Sequence, residues 1–316
     1  MLGLRRTPAP YNDPSAWGIV PGWGLATITA STLPNRTPGT TLWGYWPPLV
    51  PHHTHFIETS PHRQSLMSLY NRYIVFDIKD RDLDSQAWES VRVILSAGYL
   101  FSEYVFAYDP ATHPVTAPFP GRPGVEWTAA EADLFNAVVI SLAASGKTAR
   151  SVAVPLGLLQ VTSVPGVIGD AGMMVWRGAE EWLVERKPEK LVVVDFGGRD
   201  GVHQNLFGLI QRNEVLRGSK LVVLGVGFQQ KVYTMEEALA GQNAMQQLGM
   251  IQFNMSPILD AVLGVRDPVK VFEELDERWK HWLANRKLFA PDLRLRGWDL
   301  LAQSEVKPDE VLVYRV

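Results

Sequence analysis

The stretch AVVISLAASGKTA, residues 137–149, decides how the rest of the chain is read. Ala137 to Leu142 form a continuous apolar run, as expected for a strand covered on both faces. Small residues follow, and a helix is expected to start near Thr148. Small side chains at such a bend let a ligand phosphate approach the backbone, where free N–H groups and the helix dipole favour an anion. Lys147 supplies a mobile cation, and the Ser145 and Thr148 hydroxyls supply donors. Ser145, Gly146, Lys147 and Thr148 are therefore the candidate phosphate contacts. Gly-Lys-Thr invites a Walker A reading, but Ser141 stands where that motif needs its first glycine, and GxGxxG is absent too. The competing reading is an ordinary tight strand–helix turn.

Outward from that stretch the pattern repeats. LLQVTSV (158–164), LVVVDF (191–196) and KLVVLGV (220–226) read as further strands, separated by helix-compatible segments. Such alternation predicts a parallel α/β sheet, because parallel strands need crossover connections. Residues 129–266 are thus expected to form a Rossmann-like cofactor-binding domain. The second strand ends in Thr162-Ser163, without the acid that usually holds an adenosine ribose. A 2′-phosphate is tolerated there, so NADPH is expected in preference to NADH. Gly197 and Gly225 stand at the carboxyl ends of later strands, where glycine leaves room for a flat ring; plain loop glycines are the alternative.

The flanks differ. Leu25–Thr32 and Thr41–Tyr45 read as strands within a small barrel or irregular sheet. Residues 60–73 carry Leu66, Leu69, Tyr70 and Tyr73 at helical spacing behind a Ser-Pro start. Pro110, Pro114, Pro118, Pro120 and Pro123 crowd the next segment, where the main domain boundary is expected. The expected organisation is a first lobe over 1–109 joined by 289–316, a Pro/Gly-rich loop over 110–128, and a connecting helix over 267–288. That helix is opened by Asp267-Pro268, with Val271, Phe272, Leu275, Trp279, Trp282 and Leu283 on its apolar face and Glu274 and Arg278 spaced to pair. EVLVYRV at 310–316 is a strand signal.

Composition narrows the function classes. The 316 residues carry a net charge of −3, so no global field draws nucleic acid or an anionic membrane. There is no cysteine, which excludes disulfides, thiolate catalysis and zinc–thiolate sites. No window approaches a membrane span and no signal peptide is evident, so a cytoplasmic protein is expected. His53 and His55 alternate as metal ligands would, but without a nearby acid they read as a wet surface patch, and no metal is expected. Tyr45, Tyr70 and Tyr73 lie in the first lobe. Tyr70 is the candidate proton donor, since a phenol can protonate an alkoxide or enolate; core packing is its rival fate.

Four segments in order, LWGYWPPLVPHHTHF (42–56), SPHRQSLMSLYNRYI (60–74), AGYLFSEYVFA (97–107) and VVISLAASGKTA (138–149), resemble an uncharacterised family, a domain of unknown function, related to medium-chain dehydrogenase/reductases. The resemblance runs over residues 17–316. It implies an α/β fold in which a Rossmann-like domain is joined to a GroES-like β-barrel, with a nicotinamide cofactor between them. The superfamily's first barrel strands have no counterpart before Trp17, so a truncated barrel with open edges is expected. The zinc-free branch, with its quinone and enoyl reductases, is similar in lacking zinc-binding cysteines. The resemblance implies that Ser145, Gly146, Lys147 and Thr148 contact cofactor phosphates and that Thr162 and Ser163 lie near the ribose. The expectation is an NADPH-dependent reductase of an activated carbonyl, enone or quinone. The tryptophan-rich first lobe suits an aromatic or polyketide-like small molecule, and a homodimer follows by analogy. The alternative is a non-redox accessory or binding protein that keeps the fold.

Overall fold

The computed structural model describes residues 22–32, 37–46, 55–57, 61–76, 82–106, 113–143, 146–153, 179–198, 201–228, 233–284, 292–294 and 310–312. The chain divides into two compact units, Met1–Val91 and Arg92–Val316.

In the first unit β1 (Gly22–Thr27), β2 (Thr41–Trp46), β3 (His55–Ile57) and β4 (Arg72–Phe76) form an antiparallel sheet in the order β1-β2-β4-β3. Helix α1 (Leu83–Ser90) follows. Among the described residues these pairings make one four-stranded antiparallel sheet. Aromatic and β-branched residues favour the pleated surface. Leu42 and Tyr73 are buried in it, and the Tyr73 hydroxyl donates to the Tyr45 carbonyl at 2.7 Å. A Cβ on Gly44 would stand 2.1 Å from the Tyr73 ring, so only glycine lets that ring lie across β2.

The helix expected over 60–73 is instead two 3-10 turns, Pro61–Arg63 and Ser68–Asn71, running into β4. Arg63 Nε donates to Asn71 Oδ1 at 2.9 Å and Asn71 Nδ2 returns a bond to the Arg63 carbonyl at 3.0 Å. This closed loop delivers Ile74-Val75-Phe76 into the ladder with β2. Cross-strand pairing overrides the local helical spacing.

In the second unit β5 (Ala137–Leu142), β6 (Lys190–Phe196), β7 (Lys220–Gly227) and β8 (Ile251–Gln252) form a parallel sheet in the order β5-β6-β7-β8. The helices are α2 (Val93–Leu100), α3 (Ala129–Ala132), α4 (Lys147–Ala153), α5 (Ala179–Arg186), α6 (Val202–Arg212), α7 (Glu214–Arg217), α8 (Met235–Gln247), α9 (Met255–Val265) and α10 (Pro268–Ala284). A π-helical turn, Phe101–Val105, extends α2, and the short strands β9 (Asp292–Arg294) and β10 (Glu310–Leu312) pair with each other in parallel. This is the Rossmann-like α/β layer expected from the apolar runs. Ile140, Leu142, Leu191, Val193 and Val223 face Leu183 of α5, Leu206, Leu209 and Ile210 of α6, and Leu216 of α7. Val192, Val194 and Leu224 on the opposite face are buried as well. Each fully buried side chain of this kind stabilises the fold by roughly 1.5–3 kcal/mol.

Helix α2 packs on α4, α9 and α10. Its Gly98 makes the closest crossing possible: a Cβ there would lie 2.4 Å from the Ser151 carbonyl oxygen on α4. The two compact units divide at Val91/Arg92, and the proline-rich stretch lies within the second. That stretch is tied into the second unit by Thr116 N–H to the Tyr104 carbonyl, Trp127 Nε1–H to the Val105 carbonyl and Asn254 N–H to the Pro118 carbonyl, each 2.8 Å. The expected strand at 158–164 lies outside the described residues, as do Ser145, Thr162, Ser163 and His53. Helix α10 begins as expected, with the Val269 amide donating to Asp267 Oδ1 at 2.9 Å, and buries Val271, Leu275, Trp279 and Trp282. Among the described residues no helix is long and apolar enough to cross a membrane.

Candidate functional site

The strand register places Leu142, Asp195, Gly225 and Gln252 on one rung at the carboxyl edge of the parallel sheet. Open α/β sheets bind their ligands along this edge. The ladder between β6 and β7 is irregular at Asp195/Phe196, the kind of local break that re-aims a side chain.

Asp195 is buried, and its Oδ1 accepts the amides of Gly197 at 2.8 Å and Gly198 at 2.6 Å. His203, on the first turn of α6, brings Nε2 to 3.0 Å from Asp195 Oδ2, a close approach without a well-aligned hydrogen bond. Phe207, one turn later, stacks against the imidazole at 6.2 Å between ring centres. Burial alone would push the Asp195 carboxyl up. The His203 ring and the Gly198 and Gly197 amides outweigh it and hold the group below its ordinary value, ionised at neutral pH. A Cβ on Gly198 would meet Val202 Cγ1 at 2.8 Å, Asp195 Oδ1 at 3.2 Å and the Leu142 side chain at 3.3 Å. The β6–α6 turn therefore lies against the end of β5.

The expected phosphate turn is the neighbour of this pair. After β5, Ala143 takes a left-handed φ of 57°, and the Gly146 amide closes the turn onto the Ala143 carbonyl at 2.9 Å. Gly146 therefore lends closeness of approach, since a Cβ would touch only that carbonyl at 3.1 Å, while its own amide is used. The first intrahelical bond runs from the Arg150 amide to the Gly146 carbonyl at 3.0 Å. The amides of Lys147, Thr148 and Ala149 thus precede the helix's own ladder. Gly197 gives its amide to Asp195, so its contribution is a φ of 107° and a missing side chain. The space beside Gly225 is filled from within: a Cβ there would stand 2.7 Å from Met250 Sδ.

Tyr70 lies in the first unit, at the end of a 3-10 turn. Its ring centre is 4.8 Å from that of Tyr45 and 6.1 Å from that of Trp23, and Trp23 stacks on Trp43 at 4.9 Å. It is one member of an aromatic cluster.

Comparison with known families assigns the chain a place. A family described as Protein of unknown function (DUF2855) matches residues 5–298. The chain belongs to this family. No curated protein and no solved structure matches it.

The second unit of this DUF2855 protein holds another polar cluster that spacing did not reveal. Arg266 grips Glu274 with both arms, at 2.9 Å and 2.6 Å, and donates to the Tyr104 hydroxyl at 2.6 Å. The Tyr99 hydroxyl donates to Glu274 Oε2 at 2.7 Å. His113 stands between two carboxylates, 3.4 Å from Glu274 Oε2 and 3.7 Å from Glu103 Oε2, and Arg278 bonds Glu103 at 2.9 Å. The Arg266 bond, more than any other contact, pulls the Glu274 carboxyl down to about 2. Burial, followed by the bond to Glu274, raises the Tyr99 phenol. Arg278 thus turns to Glu103 and Glu274 to Arg266, so the pair expected within α10 gives way to longer-range partners. Glu103 and Tyr104 reach this cluster from the π-helical turn, a distortion often found at functional positions. Among the described residues no three His, Asp or Glu side chains come together as metal ligands would.

Proposed function

We propose that this DUF2855 protein binds NADPH at the carboxyl edge of its parallel sheet and reduces an activated carbonyl, enone or quinone. The observation that carries this reading is the β5–turn–α4 unit, a strand passing through small residues directly into a helix beside the β6–α6 turn. Gly146 allows close backbone approach, and Lys147 and Thr148 stand on the first turn of α4, so these residues fit a diphosphate. NADPH, when bound, supplies hydride to the substrate carbon. The protein's own residues would bind the diphosphate, orient the substrate and exclude water. The relation to medium-chain reductases rests on sequence resemblance, and a GroES-like barrel in the first lobe belongs to the same proposal. The side-chain face of Gly225 is filled by Met250.

That filled face favours a second reading, an accessory protein that keeps the layer without redox chemistry. Titration of the purified chain with NADPH, followed by nicotinamide fluorescence, separates the two. The expected result is saturable enhancement, weakened by Lys147→Ala about ten- to a hundredfold, the worth of a charge-assisted hydrogen bond. No binding at millimolar NADPH would remove the reductase, and binding unchanged in Lys147→Ala would remove the phosphate assignment.

A further inference from the structure

We infer that His203 is a general acid–base residue at this edge, positioned by Asp195, and that its ligand is the oxygen of a carbonyl-type substrate. The substrate class rests on the reductase reading above; the pair itself rests on the geometry. Three features separate it from a surface histidine. Its partner carboxylate is buried at a break in the sheet ladder and ionised, with Oδ1 committed to two backbone amides and Oδ2 left to the imidazole. Nε2 is buried against that carboxylate while a quarter of the side chain remains exposed, so Nδ1 is the nitrogen left to a ligand. The ring is stacked on Phe207, and its partner Asp195 shares a rung with Leu142 at the end of β5, where the proposed cofactor turn begins.

A buried carboxylate behind an imidazole selects the Nε2–H tautomer and stabilises the imidazolium. The loose alignment of Nε2 is usual for catalytic pairs without substrate. As the substrate carbon is reduced, with NADPH as reductant, negative charge gathers on its oxygen. The Nδ1–H bond breaks, its electron pair stays on the ring, and the proton forms the new O–H bond. His203 is left neutral with Nε2–H toward Asp195, and water returns the proton. A purely structural Asp195, serving only to pin the Gly197-Gly198 turn, would have no bearing on His203 reactivity.

Carbethoxylation of the full chain by diethyl pyrocarbonate at about pH 8, where the reagent meets neutral imidazoles, read by peptide mass spectrometry, tests this without cofactor. His203 is expected to react fastest of the seven histidines, and Asp195→Asn, which keeps an acceptor for both amides, is expected to abolish that lead. His203 reacting no faster than the others, or reacting equally fast in Asp195→Asn, overturns the inference whatever NADPH does. His203→Gln then separates proton transfer from binding. NADPH affinity should be unchanged, while reduction of a quinone or enone probe should fall by about 10²- to 10⁴-fold; an unchanged rate overturns the inference. Failure of the wild-type chain to bind NADPH would sink the reductase reading alone, leaving the labelling to decide the pair.

Discussion

Gly198 condenses what single residues contribute. In the sequence it is a loop glycine after a strand. In the fold its missing side chain lets Val202, Asp195 and Leu142 converge, so Gly198→Ala must push at least one of them away. Overpacking of this kind costs about 1–3 kcal/mol, and the urea midpoint should fall by that equivalent with an unchanged slope. Glu274 is a second case. It holds Arg266 and accepts the Tyr99 hydroxyl, yet a third of its side chain is exposed, which screens the pair. Glu274→Ala should therefore cost about 1–3 kcal/mol in urea denaturation, below the range for a fully buried pair. Nothing in the spacing of Tyr99, Tyr104, His113, Arg266 and Glu274 announced this cluster. Long sequence separations are closed only when the helices carrying these groups pack.

Among the elements, α8 and α10 are opposites. Helix α10 buries two stacked tryptophans, 5.3 Å apart, and is capped by Asp267. Helix α8 buries none of its residues, and its capping box, Thr234 with Glu237, is its main local support. Helices draw most of their stability from a packed face, so α8 amides should exchange hydrogen faster than those of α6 or α10. Thr234→Ala should speed that exchange further, by the roughly 1 kcal/mol a cap contributes. Amides in α8 protected as strongly as those in α6 would contradict this. The apolar stripe of α10 was plain in the sequence, and so were its cap and opening proline. The helix expected at 60–73 was not, because helical spacing of Leu66, Leu69, Tyr70 and Tyr73 is shared by successive 3-10 turns and a strand. Pairing with β2 decided between them.

For the whole molecule, acid is the informative perturbation. The Arg266 bond holds Glu274 at about 2 in the folded state, and the Lys220 bond holds the half-buried Glu131 at about 2, against 4.5 for a free carboxyl. A depressed carboxyl means the unfolded chain binds more protons, so its stabilisation is present above the free value and lost as pH falls toward 2. Thermal midpoints should be flat above about pH 5 and fall between there and pH 2, and Glu274→Gln should flatten that fall in part. A wild-type midpoint that rises on acidification would refute the assignment. Under the proposed function, NADPH at a hundred times its Kd should stabilise the chain by about 2.7 kcal/mol, seen as a raised midpoint.

The parallel α/β layer and its strands β5, β6 and β7 were legible from sequence alone. Burial of apolar surface is non-directional and additive, so a run such as Leu191 to Val194 declares a buried strand whatever surrounds it. Tertiary structure alone decided which polar atoms meet: His203 with Asp195, Glu274 with Arg266, Met250 against Gly225. Such contacts depend on ångström-scale positions and angles that exist only after the layers have packed, and a linear pattern of residue types carries no trace of them.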